Sequence, residues 1–332
     1  MLVVNLVLFH PERDKSMQDA VMTQQEQAQW LRFATYASVS VALILISLKL
    51  WGYWQTQSMA ILASLVDSLL DASASVANLL AVRFALAPAD ASHRFGHGKA
   101  EAIAGLGQGV LIIGSAVFLV FESVGRLLEP RPLQAFETGL GVMLFTLVLT
   151  GLLVLFQSWV IARTQSAAIR ADSLHYRTDL LTNLAVVGAL LLSQLGWLGV
   201  DPVFALSVAA YTVYAAWQII GDSADELLDR ELPEEQRQQV LAAVSQHVEV
   251  RGVHDMRTRR SGRVDFVELH IELDDHLPLT EAHTISDEVE ALITAAMPNA
   301  DVIIHQDPVG VVEDQLDDKI AEAERADGGT QQ

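Results

Sequence analysis

Apolar residues along this chain fall in blocks of about 20, the length needed to cross a bilayer as a helix. That template predicts six spans, at 33–54, 59–87, 101–128, 138–162, 171–195 and 202–221. The pattern breaks at Asp225-Glu226, where charged residues open a soluble segment. There Pro233, followed by Val240, Leu241 and Val244 at helical spacing, predicts a first helix. Two strand-like runs follow, Val253 to Arg259 and Val264 to Leu273, joined by the turn-prone Ser261-Gly262. An amphipathic helix over 280–297 and a strand through Asp301–His305 complete an α-β-β-α-β order. That order predicts a small two-layer α+β domain, with the helices on one face of a three-stranded sheet. The expected division is therefore an N-terminal extension 1–27, a six-helix transmembrane domain 28–225, an α+β domain 226–308 and an acidic disordered tail 309–332. Met1–Phe9 is apolar but too short to span, and Met22 offers a second start just ahead of the first long block.

Charge refines the topology. The chain is 51% hydrophobic with a mean hydropathy of +0.31, yet carries a net charge of −20, as expected when an apolar membrane part is joined to an acidic soluble part. Basic residues gather between spans two and three (Arg83, Arg94, Lys99) and between spans four and five (Arg163, Arg170). The connections at the other ends of the spans, 55–58 and 196–200, have none. By the positive-inside rule both termini are cytoplasmic, with Arg126 and Arg131 running against the trend. No nucleic-acid partner is expected. The absence of cysteine excludes disulfides and thiolate metal sites, so any metal must be held by oxygen and imidazole nitrogen.

Two spans carry acids where apolar residues belong. Asp67 and Asp71 are four apart in span two, and His175 and Asp179 are four apart in span five. Residues at i and i+4 share a helix face, with Cβ atoms roughly 5–6 Å apart, so each pair can offer two donors to one ion. Three carboxylates and one imidazole match a four-coordinate site for zinc or a related divalent metal. Each aspartate at a span centre costs roughly 2.5–3.5 kcal/mol on insertion scales. Protonation, a basic partner or a bound cation must offset that, and the nearby bases are His175 and Arg177, the latter on another face. Small residues around the acids, such as Ala63, Ser64, Ser68 and Ala72, would let the two spans approach closely. Asn78 and Asn183 continue the same stripes as pore-lining or interhelical groups, and Asp172, near the basic end, reads as an acid on the access path. A site that binds either metal or protons implies proton-coupled exchange, because metal requires ionised carboxylates and neutral imidazole. An intramembrane metalloenzyme would need an open coordination position and a separate base. Here four protein ligands fill the shell and no H-E-x-x-H pattern occurs, so no enzymatic activity is expected. A metal-gated channel or a membrane-anchored metal sensor is the alternative to a carrier.

With these residues in view, the chain resembles the cation diffusion facilitator family from about Met22 to Pro308. Asp-x3-Asp in span two, His-x3-Asp in span five and the terminal α+β domain carry the resemblance. The stretches His93–Glu101 and Val302–Pro308 are similar to its bacterial zinc and ferrous-iron efflux pumps. The resemblance implies a homodimeric secondary transporter of the bacterial inner membrane, exporting Zn2+, or Cd2+ or Fe2+, in exchange for protons. It implies a cytosolic domain of ferredoxin-like, metallochaperone-like type that binds metal and dimerises. It also makes Asp90, His93 and His97 a second zinc site in the connection between spans two and three, and puts Lys99 and Asp229 in a charge network at the membrane–domain junction.

In the soluble domain, strand alternation sends Val267, Leu269, Ile271 and Leu273 toward the helices and His270 to the opposite face, while His305 and Asp307 share one face of the last strand. With His254 and His283 they look like the family's cytosolic binuclear zinc site, bridged by Asp307; His247 and His276 read as ordinary exposed strand histidines. A sheet face left without helices predicts dimerisation through this domain, and metal bound there would tune the dimer.

Overall fold

Among the described residues, six long helices make up the first of two units, Met1–Leu227. They are α1 (Gln24–Thr56), α2 (Met59–Ala85), α3 (Ala100–Leu128), α4 (Leu140–Thr164), α5 (Ala167–Gln194) and α6 (Val200–Leu227), and each overlaps one expected span. The computed structural model describes residues 24–56, 59–128, 140–194, 200–310 and 315–328. Most of the expected 1–27 extension thus lies outside the described residues, and α1 already begins at Gln24. The unit is apolar outside and polar within. Trp51, Phe118, Phe121 and Trp217 are largely exposed, whereas Ser38, Ser75, Gln157, Asp172 and Thr212 are buried. A water-soluble bundle sorts its residues the other way, and exposed apolar surface of this extent calls for lipid. Among the described residues three segments, Gln25–Gln55, Ala100–Gly125 and Leu144–Thr164, are long and apolar enough to cross a membrane by length and composition.

Close approach of α3 and α6 rests on two glycines one turn apart. A Cβ on Gly105 would meet Ser223 Oγ at 2.7 Å, and one on Gly109 would meet Ile220 Cγ1 at 2.7 Å. Such small-residue contacts replace hydrophobic drive, which lipid does not supply between helices. At the end of the unit bearing the α2–α3 connection, Leu31, Ala34, Val82, Val160 and Ile169 pack α1, α2, α4 and α5 together.

The second unit, Leu228–Gln332, follows the expected α-β-β-α-β order. It comprises α7 (Glu234–Val244), β1 (Gly252–Ser261), β2 (Val264–Leu273), α8 (Leu279–Ala296) and β3 (Ala300–Pro308). The sheet order is β1-β2-β3, antiparallel between β1 and β2 and parallel between β2 and β3. Val267, Leu269, Ile271 and Leu273 are buried against Val240 and Val244 of α7 and Ile285, Val289 and Ile293 of α8, as the alternation predicts. His247 and His276 lie in turns, not strands, and pair with Glu288 and Asp275.

The acidic tail departs from the disordered reading. Residues Leu316–Gly328 form a helix, α9, anchored to β1. β1 carries an irregularity between His254 and Arg257, where Asp255 adopts φ 51°, a left-handed conformation that aspartate tolerates better than most residues. There Asp255 Oδ1 accepts the backbone N–H of Asp317 at 3.0 Å, and the backbone N–H of Asp255 donates to Asp317 Oδ2 at 2.9 Å. The bond satisfies a first-turn amide that an α-helix leaves unpaired. Burial raises the pKa of Asp255, but backbone donors from Leu316 and Asp317 outweigh it and hold the carboxyl below the ordinary range. Composition showed the charge of this tail and hid the cap, because the cap partner sits 62 residues away in β1. Asp255→Gly keeps the left-handed backbone and removes the cap, worth about 1 kcal/mol. Hydrogen exchange of the 317–320 amides should then speed up by about fivefold relative to the unaltered chain.

Candidate metal centres

The acids of α2 and α5 meet. His175 Nε2 lies 2.9 Å from Asp71 Oδ1 and 3.7 Å from Asp179 Oδ2, and one donor atom from each of the three falls within 4.8 Å of the others. Ligands about 2.0–2.1 Å from a tetrahedral zinc are about 3.3–3.4 Å apart, so these donors need only small shifts to share one ion. Asp67 stands one turn before Asp71 on α2, and its side chain lies outside the described residues. A cavity of about 220 Å³ opens at this group, lined by Lys49, Ser68, Asp71, Thr150, Asp179 and Asn183 among others. The lysine is a further base near the acids, in addition to His175 and Arg177, and it comes from α1. Lys49 Nζ donates to Ser68 Oγ at 2.6 Å, close to where the acids concentrate negative charge. Its signal in the sequence is a lone lysine inside the apolar first span. Arg177, expected on another face, donates to Ser158 Oγ at 2.7 Å.

Asp172 is not on an open access path, as its place near the basic end suggested. It is completely buried and accepts hydrogen bonds from Ser38 Oγ and from Gln157 Nε2, the latter at 2.7 Å. Ser75 Oγ is 3.0 Å from the Tyr176 hydroxyl and 3.5 Å from Asp172 Oδ1. Ser38, Ser75, Gln157 and Tyr176 carry no mark of ligation in the sequence, because none is a strong metal donor. The signal available was their polarity within spans where each buried polar group must find a partner. Of the two stripe asparagines, Asn183 lines the cavity and donates to the Asp179 carbonyl at 2.8 Å. Asn78 is buried, with neither amide atom hydrogen-bonded among the described residues.

A second cluster occupies the α2–α3 connection. Asp90 Oδ1 is 3.4 Å from His93 Nδ1, and Asp90 Oδ2 is 3.4 Å from His97 Nε2, so one carboxylate reaches both rings, whose centroids are 4.6 Å apart. The loop is fixed from within: the backbone N–H groups of His93 and Ser92 donate to Asp90 Oδ1 at 2.7 and 2.8 Å. Those two bonds hold the Asp90 carboxyl below the usual carboxylate range, so it is ionised and ready to bind a cation. His97 is buried edge-on against Phe84, 4.4 Å between ring centroids, which aims Nε2 at Asp90.

In the second unit the sheet register builds the third cluster. His254 of β1 pairs with His270 of β2, and His270 with His305 of β3, so three imidazoles lie in a row across the sheet. Asp307, two residues beyond His305 and hence on the same face, divides its oxygens among them. Oδ2 is 2.7 Å from His270 Nδ1 and 3.3 Å from His254 Nε2, while Oδ1 is 3.2 Å from His305 Nε2. One carboxylate thus reaches all three rings, and His254, His270 and Asp307 each offer a donor atom within 4.8 Å of the others. His283 does not join them: it sits exposed on α8, with Nδ1 3.7 Å from Asp287 Oδ1. The reason is the layering, since α8 covers the opposite face of the sheet from the histidine row. Of the residues expected in the charge network, Lys99 Nζ donates to the Leu227 carbonyl at 3.4 Å and Asp229 lies 3.5 Å from Arg259 Nη1.

Comparison with known proteins agrees along most of the chain. The family described as cation efflux transmembrane domain matches residues 35–228, and the cation efflux protein cytoplasmic domain matches 232–309. The chain is 48% identical over 279 residues to the cation-efflux pump FieF of Klebsiella pneumoniae, covering 84% of this chain and 93% of that one. It is 48% identical over 286 residues to FieF of Pectobacterium atrosepticum, covering 85% and 95%. Among solved structures it is similar to the metal-bound C-terminal domain of the CzcD transporter from Thermotoga maritima, at 28% identity, with 24% of this chain and 93% of that one covered and a TM-score of 0.23. The chain belongs to the cation efflux, or cation diffusion facilitator, family, with a helical transmembrane domain followed by a cytoplasmic α+β domain.

Proposed function

We propose that this protein is a secondary active transporter that exports divalent metal, zinc foremost with cadmium and ferrous iron as further substrates, in exchange for protons. The observation that carries the reading is the meeting of Asp71, His175 and Asp179 between two helices, at a cavity and with zinc-compatible spacing. Asp67, one turn from Asp71, is the fourth ligand. All six helices cross the inner membrane of a bacterium, with both termini in the cytoplasm, so the α2–α3 connection and its Asp90–His93–His97 cluster face the cytosolic metal supply. That cluster is a transient capture site. Mixed oxygen and nitrogen donors without thiolate support zinc and its neighbours over copper(I).

The second unit is a regulatory metal site and a dimer contact. Its uncovered sheet face and the bridging position of Asp307 support a binuclear centre, and His283, held in the helical layer of its own chain, completes that centre from a second copy. The decisive experiment uses the purified protein in liposomes, with an internal pH indicator and an internal zinc indicator read together. Zinc influx should drive proton efflux and should rise with an opposing pH gradient. Saturable zinc flux with no proton movement would reject the exchange, and unsaturable flux would favour a channel.

A further inference from the structure

At the site's other end the path is closed by hydrogen bonds. The cavity beside Asp71 and Asp179 lies toward the ends of the helices remote from the α2–α3 connection: it is lined by Lys49 of α1, Ser68 of α2 and Thr146 of α4. Toward the connection, each of these helices supplies one polar residue to a single carboxylate. Ser38 of α1 and Gln157 of α4 donate to Asp172 Oδ2, Gln157 also donates to Ser38 Oγ at 2.9 Å, and Ser75 of α2 reaches Oδ1. Tyr176, next to His175, adds a bond from its hydroxyl to the Ser38 carbonyl at 3.3 Å.

We propose that Asp172 is a positioning residue that latches these four helices shut on the side of the α2–α3 connection, and that parting its bonds to Ser38 and Gln157 opens the metal site there. The inference rests on the transport reading above, since a carrier must seal one end while the other is open. A polar latch suits that task. Its groups exchange one another for water when the helices part, so neither state strands a buried charge. Asn78, one turn beyond Ser75 on the same helix, is the independent sign of a second arrangement. Its amide has no hydrogen-bond partner among the described residues and borders a cavity of about 470 Å³ between α2 and α3 on that side, which places it to take up water or new neighbours as the helices part.

The native absence of cysteine makes the test direct. A single Thr146→Cys reporter on the cavity wall is reacted with a hydrophilic maleimide in detergent, where both ends of the protein are accessible. Combining it with Asp172→Asn should lower the labelling rate about tenfold, as closure of this cavity accompanies opening at the other end, a shift that loss of one buried hydrogen bond can supply. Ser38→Ala, which removes a single hydroxyl, should lower it in the same direction. An unchanged or faster rate in Asp172→Asn overturns the latch, as does a fall in thermal midpoint with no change in rate, which would mark a purely structural role. If Asp172→Asn fails to elute as a folded protein, Ser38→Ala decides on the same criterion. The readout needs neither metal nor a proton gradient, so failure of the transport reading and failure of the latch are separately visible.

Discussion

Zinc uptake into liposomes should fall at least about 100-fold in His175→Ala, the largest effect expected of any single substitution in the transmembrane domain. Loss of a residue that only supports a ligand already costs about 10–100-fold in metal affinity. His175 is itself the sole imidazole of the group, and its Nε2 lies between Asp71 Oδ1 at 2.9 Å and Asp179 Oδ2 at 3.7 Å. Removing the ring leaves the carboxylates of Asp67, Asp71 and Asp179, an oxygen-only set that favours harder ions, so zinc should lose more than manganese. Calorimetry should lose the binding event of this site alone, with the events of the α2–α3 connection and of the second unit retained, while flux falls because transport passes through the lost site. Zinc binding by the unaltered site should also weaken as pH falls, since protons compete for both the carboxylates and the imidazole. A His175→Ala variant transporting within about threefold of the native rate would remove this site from the mechanism.

What could be read from the sequence followed from period and spacing. Long apolar blocks located the helices of the first unit, and the i,i+4 pairs named three residues that the fold brings together, because helix geometry alone aligns them. Strand alternation found the histidine face of the sheet for the same reason. Register supplied what alternation leaves open: only the pairing of His254 with His270 and of His270 with His305 puts three strands' imidazoles in one row. Long-range contacts between ordinary residues stayed hidden. Ser38 and Gln157 look unremarkable in apolar spans, yet 134 residues separate Ser38 from the Asp172 it holds, and no local pattern encodes that distance. Lys49 is likewise hidden from any pattern within the two helices that carry the acids, because the base comes from a third. His283 could be grouped with the other histidines by residue type, but a helix on the opposite face of the sheet cannot bring it to them within one chain.

That separation sets the second large effect, in the cytoplasmic domain. Zinc at about 100 times its dissociation constant stabilises the state that binds it by about 2.7 kcal/mol, and amides that exchange through unfolding of the domain should slow by about 100-fold. Hydrogen exchange of the β2 core amides in the full chain, with and without zinc, reads that change directly. Asp307→Ala should abolish it, because one carboxylate serves His254 and His270 through Oδ2 and His305 through Oδ1, so both metal positions lose their shared ligand. His283→Ala is the informative contrast. It leaves the four-residue cluster of each chain intact, so at protein concentrations where the chain is monomeric the zinc effect should stay at its full monomer value. Where the chain is dimeric, the native protein should gain further protection from zinc and the variant should not. Equal protection of the two proteins at every concentration would exclude a second copy's His283 from the centre, and loss of protection in the monomeric variant would mean that the histidine reaches the metal within its own chain.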